Sequence, residues 1–251
     1  MLSLISFLCN HQRMTSSVPR TARGRARAEI TAEILDAARG YLATDGAPAL
    51  SLRAIARDLG MASSALYRYF KSRDELLTRL IIDAYDALGA AAEVAEATID
   101  RNDLAGRFAA TCSAVRAWAL AHPNEYALIY GSPVPGYAAP ADTVRPASRV
   151  TTLLLRIIVE AAAAGRIPDA DIKDAEARPV ADALAPIRSY LPPGVPAPLV
   201  QRALMVWTNL FGVISFELFG QLHNVIAEPP AGRDAFFAEC IRRWTTFTAI
   251  A

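Results

Sequence analysis

Apolar residues recur at spacings of three and four along most of the chain, whereas the strict alternation of a β-strand is almost absent. The first such stripe runs through Ile30, Ile34 and Tyr41, and Gly46 breaks it. Because this period places the apolar side chains on one face of an α-helix, it predicts a helix from about residue 26. Since the same pattern continues to the end of the chain, we predict an all-α protein.

Caps and turn residues divide the pattern into further helices. Ser51 stands at an N-cap position before a short helix, and Gly60 ends that helix. Ser72, with Glu75 three residues later, has the spacing of a capping box that opens a long helix. The predicted helices after the first are about 52–59, 63–70, 73–92, 103–122, 125–130, 143–164, a weak one at 171–190, 199–220 and 233–249.

The two short helices are separated by a turn of about three or four residues, which is the spacing of a helix-turn-helix motif. Ala56 is small where the two helices cross, and Gly60 suits the left-handed conformation of the turn. Leu66 points with Ile55 into the small core between the helices. Because these residue types occur together at these offsets, the segment predicts a second helix held at an angle that fits the major groove of DNA.

Charge is divided unevenly along the chain, although the net charge is only +1. Residues 1–80 carry 12 Lys or Arg and 7 Asp or Glu, whereas the remainder carries 14 and 18. A basic first third indicates a segment that binds an anion. We therefore predict a flexible basic N-terminal arm (1–25), a three-helix helix-turn-helix DNA-binding domain (26–72) and a larger C-terminal helical domain (73–251), whose aromatic side chains and last two helices suit ligand binding and dimerisation.

Hydroxyl, aromatic and cationic side chains surround the motif in a pattern that suits duplex DNA. The first residues of the second helix face base edges, with Arg68 as the candidate for a guanine contact, while Ser51, Tyr67 and Lys71 suit phosphates at the rim. The arginines before the first helix suit phosphates or an adjacent minor groove. The alternative is a disordered arm whose arginines are only solvated. The candidate DNA contacts are Ser51, Arg53, Ala62, Ser63, Ser64, Tyr67, Arg68, Tyr69, Lys71 and Arg73, and the arm arginines are Arg20, Arg23, Arg25 and Arg27.

About residues 26–90 resemble the TetR family of bacterial transcriptional regulators. The resemblance rests on the first-helix run 30–46, on residues 52–61, and on the run Leu-Tyr-Arg-Tyr-Phe-Lys-Ser-Arg at 66–73. It implies a homodimer that binds a palindromic DNA operator, usually as a repressor, and releases it when a small molecule enters the helical body. It also implies that Tyr67, Tyr69 and Arg73 contact phosphates. Further along, Trp207, Phe211-Gly212, Phe216-Glu217 and the segment His122 to Tyr126 resemble the WHG-type C-terminal domain of some members.

Aromatic side chains in the predicted body favour a mostly apolar pocket for a small-molecule effector. For any one of them, an ordinary place in the core is the alternative. Arg116 and His122 either orient a polar ligand or lie at the surface. The candidate pocket residues are Phe108, Trp118, His122, Tyr126, Tyr130, Tyr137, Trp207 and Phe211.

The last two helices carry more apolar surface than an isolated helix leaves in water. Pairing with the same helices of a second subunit would bury it in a four-helix interface, whereas the alternative is a core within one subunit. A two-fold axis would also place two recognition helices about 34 Å apart, on successive major grooves.

Several classes of protein are disfavoured by the sequence. Cys9, Cys112 and Cys240 are far apart, no Cys or His spacing suits a metal, and no nucleophile elbow, phosphate loop or paired carboxylates occur. The apolar stretch 203–216 is shorter than the about 20 residues of a membrane span. We predict a cytoplasmic regulator without cofactor, metal, membrane partner or enzyme activity. An activator or ligand-independent regulator, and less readily a helical enzyme or membrane-associated protein, are the alternatives.

Overall fold

The computed structural model describes residues 21–168, 182–188, 191, 194–226 and 230–250. No strand occurs in this part of the chain, and the all-α prediction is confirmed. Arg20 and most of the predicted helix 171–190 lie outside the described residues. In chain order the helices are α1 (Ala22–Thr44), α2 (Leu52–Asp58), α3 (Ser63–Leu66), α4 (Arg73–Ala97), α5 (Leu104–Ala121), α6 (Pro123–Tyr130), α7 (Val144–Ala147), α8 (Arg149–Ala163), α9 (Ala185–Arg188), α10 (Ala197–Leu218) and α11 (Pro230–Phe247).

Thr21 determines where α1 begins. Its side-chain oxygen accepts a hydrogen bond from the backbone N–H of Gly24 at 3.1 Å, which satisfies one of the free donors at the helix end. The helix therefore starts at Ala22, four residues earlier than the apolar stripe predicts. The prediction of an arm in front of the helix is wrong for the arginines that lie within α1, namely Arg23, Arg25 and Arg27.

The described chain divides into two compact units. The head comprises the described residues of Met14–Ala87 and Ala121–Ala147, and the body comprises those of Leu88–Leu120 and Ser148–Ala251. Helix α4 contributes residues to both units, because it runs unbroken from Arg73 to Ala97. The predicted domain boundary at residue 72 stays a prediction.

The core of the head contains more than the helix-turn-helix motif. Side chains of α1, α2, α3 and the first half of α4 form one buried cluster, and residues of α6 and the following loop pack against it. The hydroxyl of Tyr85 donates to the carbonyl of Ile129 at 3.2 Å, and the hydroxyls of Thr78 and Tyr137 lie 2.9 Å apart. Residues 121–147 are thereby bonded to α4, the helix that follows the motif.

Two local predictions in the head need correction. The predicted helix 63–70 is α-helical only to Leu66, because the N–H groups of Arg68 and Tyr69 donate to carbonyls three residues back, which tightens the chain into 3₁₀ turns. At the start of α4, the N–H of Glu75 donates to the hydroxyl of Ser72 at 3.1 Å, as the capping box requires. The carboxylate of Glu75, however, accepts from the N–H of Lys71 at 2.6 Å.

In the body, α8 packs against α10 through fully buried aliphatic side chains. Among the described helices, α10 is long and apolar enough to cross a bilayer by length and composition. Its buried stripe of Ala203, Val206, Leu210 and Ile214 is what a core helix of a folded domain also requires. The single helix predicted over 143–164 is divided at Ser148 into α7 and α8.

Five charged residues form an ion cluster in the body, which we call the buried ion cluster because only Arg101 among them is exposed. Arg107 is fully buried in α5, and its Nε donates to Oε1 of Glu96 at 2.6 Å. Its Nη1 donates to Glu160 at 2.5 Å, while Arg101 bonds to both glutamates and Arg156 approaches Glu96 at 3.1 Å. The cluster therefore joins α4, α5 and α8 through charge-assisted hydrogen bonds.

Candidate nucleic-acid interface

The helix-turn-helix motif has the geometry that its sequence predicts. Ile55, Ala56 and Leu66 are each fully buried where α2 meets α3. Gly60 has a φ of +63°, the left-handed conformation that turns the chain between the helices. The N–H of Met61 then donates to the carbonyl of Ala56 at 2.8 Å and closes the end of α2.

Replacing Gly60 by alanine is expected to destabilise the protein by about 1–2 kcal/mol, because an L-residue is strained in this conformation. A Cβ at Gly60 would meet no other atom within 4 Å, so backbone strain alone is tested. Gly40 is the matched control: it lies in helical conformation in α1, also with free space around a Cβ. Gly40→Ala should raise stability by about 0.5–1 kcal/mol. Urea denaturation measures the change in the free energy of unfolding in both variants. A change of the same sign in the two would contradict the role of Gly60.

Ser51 caps α2 and directs its first turn. The hydroxyl accepts from the N–H of Ala54 at 3.5 Å, which confirms the predicted N-cap. Next to it, Arg53 is exposed. Both lie at the N-terminal end of α2, the position from which a helix-turn-helix domain contacts the DNA backbone.

Arg73 holds the segment in front of α2. Its guanidinium donates to the carbonyls of Ala47 at 2.8 Å and Leu50 at 3.2 Å. These bonds fix the chain that leads into Ser51, and they give Arg73 a structural role. Its predicted phosphate contact stays a prediction, although most of its donors are already engaged.

The remaining predicted DNA contacts lie on α3 or directly before and after it. Tyr67 is 43% exposed despite its large apolar ring, and Tyr69 is half-buried against the core of the head. The others, which are all exposed, are Ala62, Ser63, Ser64, Arg68 and Lys71. The fold thus brings hydroxyl, guanidinium and ammonium groups together around one short helix.

Two contacts across the motif were not predicted. The guanidinium of Arg27 lies over the ring of Tyr69, with its Cζ 4.9 Å from the ring centroid. Tyr41 of α1 donates a hydrogen bond to the carboxylate of Asp58 at the end of α2, and this bond raises the pKa of the tyrosine. Both join residues far apart in sequence, and no local pattern indicates such pairs.

The predicted effector residues are divided between the two units. Phe108 and Trp118 are buried in α5 of the body, where Trp207 and Phe211 of α10 have ring centroids 5.8 Å apart. In the head, Tyr126 is buried with its ring 5.1 Å from that of Tyr130. Tyr137 is half-buried and His122 exposed.

Two polar groups of the body bear on the prediction of an effector site. Arg116 donates to Glu217 at 2.6 and 2.7 Å and to Asp234 at 2.7 Å, so its guanidinium joins α5, α10 and α11. The indole N–H of Trp207 is buried and has no hydrogen-bond partner among the described residues. Because a buried indole N–H normally finds an acceptor, this donor is available to a ligand.

Comparison with known proteins agrees with the fold and the motif. Residues 34–80 match the family described as bacterial regulatory proteins, tetR family, and residues 108–244 match the tetracyclin repressor-like, C-terminal domain. The chain is 42% identical over 217 residues to the HTH-type transcriptional regulators Rv1816 of Mycobacterium tuberculosis and Mb1846 of Mycobacterium bovis. The alignment covers 85% of this chain and 91% of each relative.

Comparison with solved structures also supports the fold. The crystal structure of SCO4313, described as a regulatory protein, superposes with a TM-score of 0.71 at 37% identity, over 90% of this chain and 100% of that one. PfmR, a TetR family transcriptional regulator from Thermus thermophilus, shares the fold with a TM-score of 0.53 at 18% identity, over 83% of this chain and 97% of that one. Fold and motif thus define a helix-turn-helix, DNA-binding transcriptional regulator. The chain belongs to the tetR family of bacterial regulatory proteins.

Proposed function

We propose that this cytoplasmic regulator binds a palindromic operator as a homodimer and is released from it by a small, largely apolar molecule bound in the body. The observation that carries the proposal is the set of exposed donors around α3, held on a fully buried motif core. Release by a ligand and repression are typical of the family.

In the proposed complex, α3 enters the major groove and the groups around it contact the backbone. Ser63, Ser64 and Arg68 reach base edges, Arg68 as the guanine reader. Phosphates are contacted from both sides of the groove. The phosphate contacts are Ser51, Arg53, Tyr67, Tyr69 and Lys71, and Ala62 approaches the bases as the N-cap of α3.

Replacing Lys71 by alanine is expected to weaken operator binding about tenfold, since a hydrogen bond to a charged group is lost. The slope of log K against log salt should fall by about 0.9, the contribution of one neutralised phosphate. Tyr67→Ala should lower affinity while leaving that slope unchanged, because a neutral phenol releases no counterion when it contacts a phosphate. Fluorescence anisotropy over a salt series measures both quantities. Arg166→Ala, an exposed arginine of the body, is the control, and an equal loss there would contradict the assignment.

The proposed dimer interface is the exposed apolar face of α10 and α11. Met205 and Phe216 stay exposed on α10 and Phe219 at its C-cap, with Gly212 between them on the same face, where a Cβ would meet nothing within 4 Å. On α11, Phe236 and Phe247 are exposed three turns apart. Pairing these faces across a two-fold axis gives the four-helix interface expected from the sequence.

The proposed effector site lies in the body next to Trp207. The unpartnered indole N–H supports a ligand that combines an apolar frame with a hydrogen-bond acceptor. Because α4 has residues in both units, a ligand that favours one position of α4 would bias the spacing of the recognition helices. A thermal-shift screen of small molecules identifies such a ligand by its stabilisation of the folded protein.

Selection of bound duplexes from a random DNA pool tests the proposed function. The expected result is a palindrome whose half-sites are about 34 Å apart, or a multiple of this distance. Recovery of no enriched sequence, or of one unsymmetrical site, would overturn it. Transcription from a promoter that carries the recovered site then separates a repressor, which lowers the transcript level, from an activator.

A further inference from the structure

Arg27 connects the first helix to the end of the recognition helix. Its Nη2 donates to the backbone carbonyl of Arg68 at 3.2 Å, and its guanidinium carbon lies 4.9 Å from the ring centroid of Tyr69. The two contacted residues are neighbours in sequence, and they lie more than 40 residues away from Arg27. One exposed side chain thus contacts a backbone group and an aromatic face just after α3.

The chemistry of both contacts suits a guanidinium. Carbonyl groups at the end of a helix have no partner within the helix, so that of Arg68 is available to an external donor. A planar guanidinium also stacks on an aromatic face while its N–H groups donate in the plane, which an ammonium group does not do. The arginine therefore restrains the backbone of Arg68 and the ring of Tyr69 at the same time.

We propose that Arg27 is a positioning residue for DNA recognition, which orients Arg68 and Tyr69 and does not itself neutralise a phosphate. This inference rests on the proposed function, in which Arg68 reads a base and Tyr69 contacts the backbone. It differs from the sequence-based expectation, which placed Arg27 in a basic arm as a direct contact to phosphates or the minor groove. A positioning group and a charge contact respond differently to salt and to substitution by lysine.

The test uses a labelled duplex that carries the palindrome selected by the unmodified protein. Arg27→Ala should lower its affinity about three- to tenfold, which corresponds to the loss of a cation–π contact and a hydrogen bond at an exposed site. Arg27→Lys should show a similar loss. The salt slope should stay unchanged in both variants, because no released counterion is involved.

A double-substitution cycle with Tyr69 tests whether Arg27 acts through it. In a Tyr69→Ala background, Arg27→Ala should cost much less affinity than in the unmodified protein. Arg25→Ala serves as the matched control, since it removes the same charge from the same turns of α1. Any loss of affinity in Arg25→Ala should be recovered in Arg25→Lys, which keeps the positive charge. Thermal unfolding of each variant verifies that the head stays folded.

Any of three results in the Arg27 variants would overturn the positioning role: full affinity in Arg27→Lys, a salt slope lowered by about 0.9 in Arg27→Ala, or an equal cost of Arg27→Ala with and without Tyr69. Failure of the proposed function looks different, because the unmodified protein would then select no palindrome. The positioning role would be rejected with it. A Tyr69→Ala variant that binds normally also rejects the role, while leaving operator binding itself intact.

Discussion

Replacing Glu96 by glutamine is expected to lower the free energy of unfolding by about 3–5 kcal/mol, the range seen when one partner of a buried ion pair is removed. Glu96 is 3% exposed and lies against the fully buried Arg107 and the buried Arg156. The buried ion cluster holds three arginines and two glutamates. Without Glu96 only Glu160 is left for three guanidinium groups, and the cost of burying those of Arg107 and Arg156 is no longer offset.

The same cluster predicts how the effect depends on pH. Burial raises the pKa of Glu96, but the hydrogen bond from Arg107 and the charges of Arg156, Arg107 and Arg101 outweigh it, so that its pKa is lowered. A carboxylate with a lowered pKa in the folded state contributes stability above its unfolded pKa, near 4.5, and loses it as the pH falls through the folded value. The stability difference between Glu96→Gln and the unmodified protein should therefore be constant near neutral pH and shrink below about pH 4.5.

Glu93 offers a control on the same helix. It pairs with Arg149 at 2.7 Å, and both side chains are about one quarter exposed. Because partly hydrated pairs contribute little, Glu93→Gln should cost no more than about 1 kcal/mol. Urea denaturation at pH 7 and pH 4 measures both variants. Equal losses at the two positions would show that burial of the cluster does not determine its contribution.

The sequence predicts the motif of the head well because its determinants are local. Ala56, Gly60 and Leu66 lie within eleven positions, so their spacing already encodes the crossing of two helices. The apolar stripe does not show the start of α1, because the stripe begins after the first turn and only Thr21 indicates the cap. A helix boundary set by one side chain is invisible to an argument from periodicity.

Contacts between distant residues could not be predicted in this way. Arg156 lies inside an apolar run, and a charge at such a position is a sign of a buried partner, but nothing local shows that the partner is Glu96. The exposed donors around α3 follow from the polar positions of the motif. The contact of Arg27 with Tyr69 does not, because it arises from the packing of α1. The proposed effector site depends on cavities between helices, which no spacing in the sequence defines.

Replacing Phe216 by glutamate is expected to convert the proposed dimer to monomers. Phe216 is 55% exposed in the single chain, so the substitution leaves the subunit core intact. In a two-fold interface the change occurs twice, and it would bury carboxylates without partners at a cost of several kcal/mol. The variant should therefore have the subunit mass of 27.0 kDa in light scattering, whereas the unmodified protein should have twice that mass.

Loss of the dimer should also lower operator affinity by about 10²–10⁴-fold, because binding of the second half-site is no longer intramolecular. The control is Val94→Glu, which places the same charge on an apolar side chain of α4 that is 67% exposed. Val94 lies outside the face formed by α10 and α11, so this variant should remain dimeric and bind the operator normally. A Phe216→Glu protein that stays dimeric would place the interface elsewhere. If it becomes monomeric yet keeps full affinity, the two recognition helices do not bind the operator as a pair.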